Sequence, residues 1–193
     1  MAEFWFIRHF RTPWNAAGRL QGRCDVALDE PIGDADRQTL AAGRAALAGV
    51  AFGAVWSSPA LRARQTAALF GFDAPTILPE MAELDFGGFE GQLWSDLEAA
   101  HPGRWRAAPQ DLPLGEPFSA FVERVAAVLA RAATIRGGPV LAFGHGAWSG
   151  CLRCLHEGHD PATMAARGIG NGEILRLVPQ PGLASRAPDP RTT

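Results

Sequence analysis

The chain has 193 residues, 47% hydrophobic and 20% charged, with a formal net charge of −2. That length suits one domain with a buried core, and the near-neutral charge gives no reason to expect nucleic acid or an anionic membrane as partner. All 18 Lys-plus-Arg positions are Arg and Tyr is absent, which excludes Schiff-base chemistry, pyridoxal phosphate attachment, a P-loop lysine and a phenolic acid or base.

Residues 1–8 offer too short an apolar run for a signal peptide and no basic leader. No stretch approaches the ~18 apolar residues of a membrane helix. The expectation is a cytoplasmic protein. Phe4–Arg8 is a short apolar run ending in polar residues and reads as a buried strand with its carboxyl end at His9. A loop rich in Gly and Pro follows to about Gly33. Asp34–Leu47 has helical spacing with Gly49 as a stop, Ala54–Ser57 reads as a second strand, and Pro59–Phe70 as a helix with Pro near its first turn.

Thr76–Leu78 is a brief strand, residues 79–93 a Gly-rich loop, and 94–100 a short helix halted by His101-Pro102-Gly103. Phe118–Thr134 places Phe118, Phe121, Val122, Val125, Val128 and Leu129 on one helical stripe. Val140–Phe143 is a strand ending at Gly144-His145-Gly146, followed by a helix over Ala147–Glu157 and a last strand over Glu173–Val178. Strands alternating with helices imply an α/β fold, a three-layer α/β/α sandwich on a mostly parallel central sheet. The single domain is expected over residues 1–181, with a Pro- and Arg-rich tail over 182–193.

Cys24, Cys151 and Cys154 are an odd set with no secretion signal, which argues against a disulfide framework. Cys151, Cys154, His156 and His159 pack four metal-ligand types into nine residues. Structural zinc sites instead join two ligand pairs from separated segments, so these cysteines read as small inward-facing hydrophobes on a helix.

Three strand ends carry the chemistry: Arg8-His9, Ser57-Ser58-Pro59 leading to Arg62, and His145. In open α/β sheets ligands bind outside the carboxyl ends of strands, so two histidines and two arginines would converge on one crevice. Taken singly each has an ordinary explanation, since a His at a strand end is commonly structural and an Arg on a helix commonly solvated.

Five collinear segments tie them together: Arg8-His9-Phe10-Arg11-Thr12-Pro13-Trp14-Asn15, Gly18-Arg19-Leu20-Gln21-Gly22-Arg23-Cys24-Asp25, Ser57-Ser58-Pro59-Ala60-Leu61-Arg62-Ala63-Arg64-Gln65-Thr66-Ala67, Glu83 with Phe86-Gly87-Gly88-Phe89-Glu90-Gly91, and Gly144-His145-Gly146. This ordered set resembles the histidine phosphatase superfamily, the phosphoglycerate mutase-like family. The resemblance implies that His9 attacks phosphorus in line to form a phosphohistidine, with Arg8, Arg62 and His145 on the equatorial oxygens and Asn15 as a neutral donor. Glu83 would protonate the leaving oxygen and then deprotonate water. Guanidinium and imidazolium would stand in for a metal, so no cofactor is implied. Thr12, Gln21, Gly22, Phe10 and Arg11 complete the expected substrate-binding set.

Phe10 and Arg11 depart from the Gly and the Glu or Gln usual at these positions, and Gly144 from the usual Ser. Phe10 is expected either to point outward or to reshape the pocket wall, and Arg11 to add a cation at the mouth. The 53 residues between Gly91 and Phe143 leave little room for a mutase's extra segments, which favours hydrolysis of a small phosphorylated metabolite, α-ribazole phosphate or a sugar phosphate among them. Residues 101–117, with Arg104, Trp105 and Arg106, could cap the pocket or form a plain surface loop. A mutase-type phosphotransferase, a protein phosphohistidine phosphatase and a non-catalytic phosphate-binding module are the alternatives.

Overall fold

The computed structural model describes residues 3–179; the expected tail over 182–193 lies outside them. Five strands form one sheet: β1 (Phe4–Arg8), β2 (Ala54–Ser57), β3 (Thr76–Ile77), β4 (Val140–Gly144) and β5 (Ile174–Leu177), in the order β3-β2-β4-β1-β5. All neighbours are parallel except β5, which runs antiparallel to β1.

The apolar run of β1 is buried on both faces, the pattern of a strand inside a parallel sheet. Phe4 and Phe6 enter one core and Trp5 and Ile7 the other, and β4 divides likewise between Val140/Ala142 and Leu141/Phe143. The first core is closed by α6 (Phe118–Ala132), through Phe121, Val125 and Val128, and by α7 (Gly146–Glu157), through Trp148, Cys151 and Leu152. The second is closed by α2 (Asp34–Leu47) and α3 (Leu61–Leu69), through Leu47, Ala67 and Phe70. Two helical layers therefore sandwich the sheet. The short helices α1 (Pro13–Ala16), α4 (Trp94–Ala100) and α5 (Arg104–Ala107) lie in the connections that approach the carboxyl ends of the strands.

Several local details differ from expectation: the loop expected up to Gly33 carries α1, and the loop over 79–93 carries 3-10 turns at Pro79–Met81 and Gly87–Phe89. Helix α3 starts at Leu61 rather than Pro59, because Ala60 is extended (ψ 137°) and its cap is non-local: the Asp25 carboxylate accepts the Leu61 N–H at 2.6 Å. The segment 101–117 is no plain loop, since it carries α5 and a 3-10 turn at Pro109–Asp111. Among the described residues, no helix is long and apolar enough to cross a membrane.

Candidate active site

β4 lies between β2 and β1, so the three polar strand ends are adjacent. The register pairs Arg8 with Gly144 and Ser57 with Phe143, and His9 and Ser58 continue the ladder by donating N–H to the Gly144 and Phe143 carbonyls, both at 2.9 Å. A cavity of about 400 Å3 opens beyond them, lined at its polar end by Arg8, His9, Asn15, Gln21, Arg62 and Glu83.

His9 is 3% exposed. Its Nδ1 lies 2.6 Å from the Phe10 carbonyl oxygen. A carbonyl only accepts, so Nδ1 carries the proton and Nε2 holds the free lone pair of the neutral ring. Burial, followed by the charges of Arg62 and Arg8, holds the ring's pKa well below the ordinary histidine value. The backbone here is fixed from three directions: Thr66 Oγ1 accepts the Phe10 N–H at 3.0 Å, Asn171 Nδ2 donates to the His9 carbonyl at 2.9 Å, and Gly172 N–H donates to the Arg8 carbonyl at 2.9 Å.

Each arginine is half-committed. Arg62, 1% exposed, donates from Nη1 to the Cys24 carbonyl (2.7 Å) and from Nη2 to the Gly22 carbonyl (2.8 Å). Arg8 donates from Nη1 to the Ile169 carbonyl at 2.7 Å. The Nε of both, and Nδ1 of His145, are buried without a partner among the described residues. Buried donors are normally satisfied, so the orphaned Nε groups of two cavity-lining arginines, with His145 packed beside His9 behind them, mark a site for an anion. Burial pulls both guanidinium pKa values down, and Glu83 is the first charge that opposes it.

His145 is fully buried and is not part of the cavity lining. Its ring centroid is 5.4 Å from that of His9, and Nε2 lies 2.7 Å from Ser58 Oγ. Burial, Arg62 and then His9 lower its pKa well below the ordinary value. Burial therefore favours its neutral form in the free protein.

Glu83 is 9% exposed and its carboxylate is gripped at the first turn of α7: Oε2 accepts the Ala147 N–H (3.0 Å), and Oε1 those of Trp148 (3.1 Å) and Leu84 (3.0 Å). Arg124 on α6 holds the loop itself, donating to the carbonyls of Glu80 (2.8 Å), Ala82 and Glu83 (2.9 Å). The same guanidinium is bidentate on Glu116 at 2.7 and 3.1 Å. Burial pushes the Glu116 carboxyl up, but its bonds from Arg124 and the Asp85 N–H more than offset this and leave it low.

Asn15 and Gln21 line the cavity. Asn15 Oδ1 accepts the Thr12 N–H in a capping box of α1, which leaves Nδ2 as its outward donor. Thr12 is fully buried and supports both through hydrogen bonds to Asn15 and Gln21, rather than lining the cavity itself. Gly22 also lines the cavity, and at φ +50° an added Cβ would lie 1.9 Å from Glu90 Oε1.

Phe10 and Arg11 do not line the cavity. The Phe10 ring turns away from the site into the core under α2 and α3, stacked on Phe70 at 5.8 Å, because Gly172 leaves room for it: a Cβ there would meet the ring at 2.3 Å. Arg11 is exposed to solvent, away from the mouth. The departure at Gly144 has a packing cause, since a Cβ would approach the Phe6 ring at 2.7 Å. The cation at the mouth is instead Arg19, which donates to the Gly91 carbonyl at 2.6 Å.

The outer wall is aromatic and apolar, with Phe86, Trp94, Trp105, Met164 and Ile169. Phe86 and Trp105 were in view in the sequence, but nothing in Pro161–Ala166, a 3-10 helix, signals a role for Met164. The cysteine run behaves as small core residues. Cys151 and Cys154 are buried, burial pushes the Cys151 thiol up to about 12, and among the described residues no group of three or more His, Cys, Asp or Glu could hold a metal.

The wheat 2-carboxy-D-arabinitol-1-phosphatase is 27% identical over 91% of this chain, which spans only 37% of that protein's length. The metal-independent phosphoserine phosphatase of Arabidopsis thaliana is 29% identical (86% of this chain, 72% of that one). A probable phosphoglycerate mutase GpmB of Salmonella arizonae is 32% identical (79% and 73%). Among solved structures, TTHB049 from Thermus thermophilus is 34% identical with a TM-score of 0.69 (90% and 92%), and Rv3214 from Mycobacterium tuberculosis shares the fold at 22% identity and TM-score 0.81 (94% and 93%). The pattern of the histidine phosphatase superfamily, branch 1, matches residues 4–185. A buried histidine with a free Nε2, flanked by two arginines and a clamped carboxylate, thus stands in a chain that belongs to the histidine phosphatase superfamily.

Proposed function

We propose that this enzyme is a metal-independent phosphomonoesterase acting on a small phosphorylated molecule through a phosphohistidine on His9. The observation that carries the reading is the His9 ring, proton fixed on Nδ1 by the Phe10 carbonyl, beside two arginines whose Nε groups lack partners. Nε2 attacks phosphorus in line and the ester oxygen leaves. Arg8, Arg62, Asn15 Nδ2 and His145 Nδ1 take the equatorial oxygens, where charge lies in a loose transition state. Arriving phosphate charge favours protonation of His145, so the ring that is neutral when empty gains strength as a donor on binding.

In its acid form Glu83 gives a proton to the leaving oxygen, and as the resulting carboxylate it takes one back from the water that cleaves the N–P bond and frees inorganic phosphate. A mutase must also hold the rest of a phosphoglycerate. Beyond the phosphate end Arg19 is the one further cation lining this cavity among the described residues, which favours release over retention.

The test is turnover of an aryl phosphate with chelator present, in the parent and in His9→Ala, together with a search for acid-labile phosphate on the protein. The expected result is activity in the parent, loss in His9→Ala and a trapped phosphohistidine. An inactive parent refutes the phosphatase, and an active His9→Ala refutes the covalent route.

A further inference from the structure

The cavity does not end at the phosphate site. Trp94 and Trp105 line both it and a second hollow of about 450 Å3, which adds Ser95, Glu98 and Arg106. The two indoles and Phe86 form a mutually packed aromatic cluster, with centroids 5.3–5.6 Å apart. Their own packing leaves surface over: Trp94 is 39% exposed, one of few large hydrophobics so placed among the described residues. Exposed aromatic surface at the wall of a concave, partly apolar site is where ligand rings pack. Beyond the phosphate end the lining cations are Arg19, which already donates to the Gly91 carbonyl, and Arg106 in the second hollow. Glu98 lines the same hollow as Arg106 and offsets it, so that end carries no net charge to draw a second anionic group.

We infer that the substrate is a phosphomonoester whose alcohol carries an aromatic ring, seated against Trp94 and Trp105 while its phosphate faces His9. The inference rests on the phosphomonoesterase reading and adds the leaving group to it. Ser95, Glu98 and Arg106 offer polar contacts to the far side of such a ring.

Benzyl phosphate and ethyl phosphate, both esters of primary alcohols, form the test pair, with phosphoserine as a charged, non-aromatic competitor. The parent should show kcat/KM about tenfold or more higher for benzyl than for ethyl phosphate, the scale of one ring stacked on an indole. In Trp94→Ala and Trp105→Leu that ratio should fall towards one. The ratio is taken within each variant, so partial unfolding cancels.

Binding is read separately by calorimetry in His9→Ala, with benzylphosphonate expected to bind tighter than ethylphosphonate. Equal turnover of the pair, faster turnover of phosphoserine, or a ratio unchanged in both variants overturns the aromatic leaving group and leaves the phosphatase standing. A parent that hydrolyses none of them while His9→Ala still prefers benzylphosphonate overturns the phosphatase and supports the aromatic site. Neither turnover nor preferential binding overturns both.

Discussion

Replacing Arg124 by alanine isolates how the loop carrying Glu83 is held. Arg124 is not itself part of the cavity lining, yet it binds the carbonyls of Glu80, Ala82 and Glu83 and both oxygens of Glu116. Its side chain is 15% exposed and that of Glu116 11%. Breaking a buried ion pair by removing one partner costs about 3–5 kcal/mol, and the lower end applies because Arg23 still reaches Glu116 at 3.1 Å. Domains are stable by roughly 5–15 kcal/mol, so the variant should fold at reduced stability.

Its catalytic defect should depend on the leaving group. A misplacement of about 1 Å costs on the order of 10²-fold, but only where a proton from Glu83 is needed. An alkyl phosphate should therefore lose about 10²-fold in kcat/KM, whereas nitrophenyl phosphate, whose phenolate leaves without protonation, should lose far less. Arg124→Lys should not restore the rate, because an ammonium cannot make the bidentate fork. The assay is steady-state kinetics on both esters at a temperature where denaturation curves show the variant folded. An equal loss on both substrates, or none on either, would refute the clamp as a positioning device.

Acid should destabilise the fold before carboxylates titrate. His9 and His145 have folded pKa values well below the ordinary one, so as pH falls through about 6.5 the unfolded chain binds protons that the native state refuses. Stability is then lost with falling pH at up to about 1.4 kcal/mol per unit for each histidine, measurable by urea unfolding between pH 7.5 and 5.5, and a flat profile would contradict neutral histidines. Phe10→Ala should cost about 3–5 kcal/mol as a core truncation and leave KM for small esters nearly unchanged at a temperature where it is folded; a large KM change would return Phe10 to the cavity wall. Inorganic phosphate at 100 times its Kd should stabilise the parent by about 2.7 kcal/mol in thermal melts, and Arg62→Ala should abolish most of that, since an unpartnered Nε is lost with the charge.

Much of the site could be read from the chain because it sits where strands end. Arg8-His9, Ser57-Ser58 and Gly144-His145 directly follow buried apolar runs, and a strand's carboxyl end in a parallel sheet faces the ligand crevice whatever the detailed packing. The helices α2, α6 and α7 follow from the 3.6-residue spacing of their buried faces, and the three-layer sandwich from alternating strand and helix.

Tertiary structure decided which way side chains turn and what holds them. Phe10 faces the core only because Gly172, far along the chain, vacates the space for its ring. β5 pairs antiparallel with β1 at one edge of the sheet while β3 pairs parallel at the other, a choice of direction that no local pattern records. The clamp on the Glu83 loop spans separations of 41 to 44 residues along the chain, and the cavity wall joins Arg19, Trp94, Trp105 and Met164 from separate connections. A sequence records local propensity and pattern directly, whereas contacts between distant segments exist only once packing has excluded water and fixed their geometry. The residues gathered at the strand ends were therefore legible in the order of motifs, and the shape of the cavity beyond them was set by the fold.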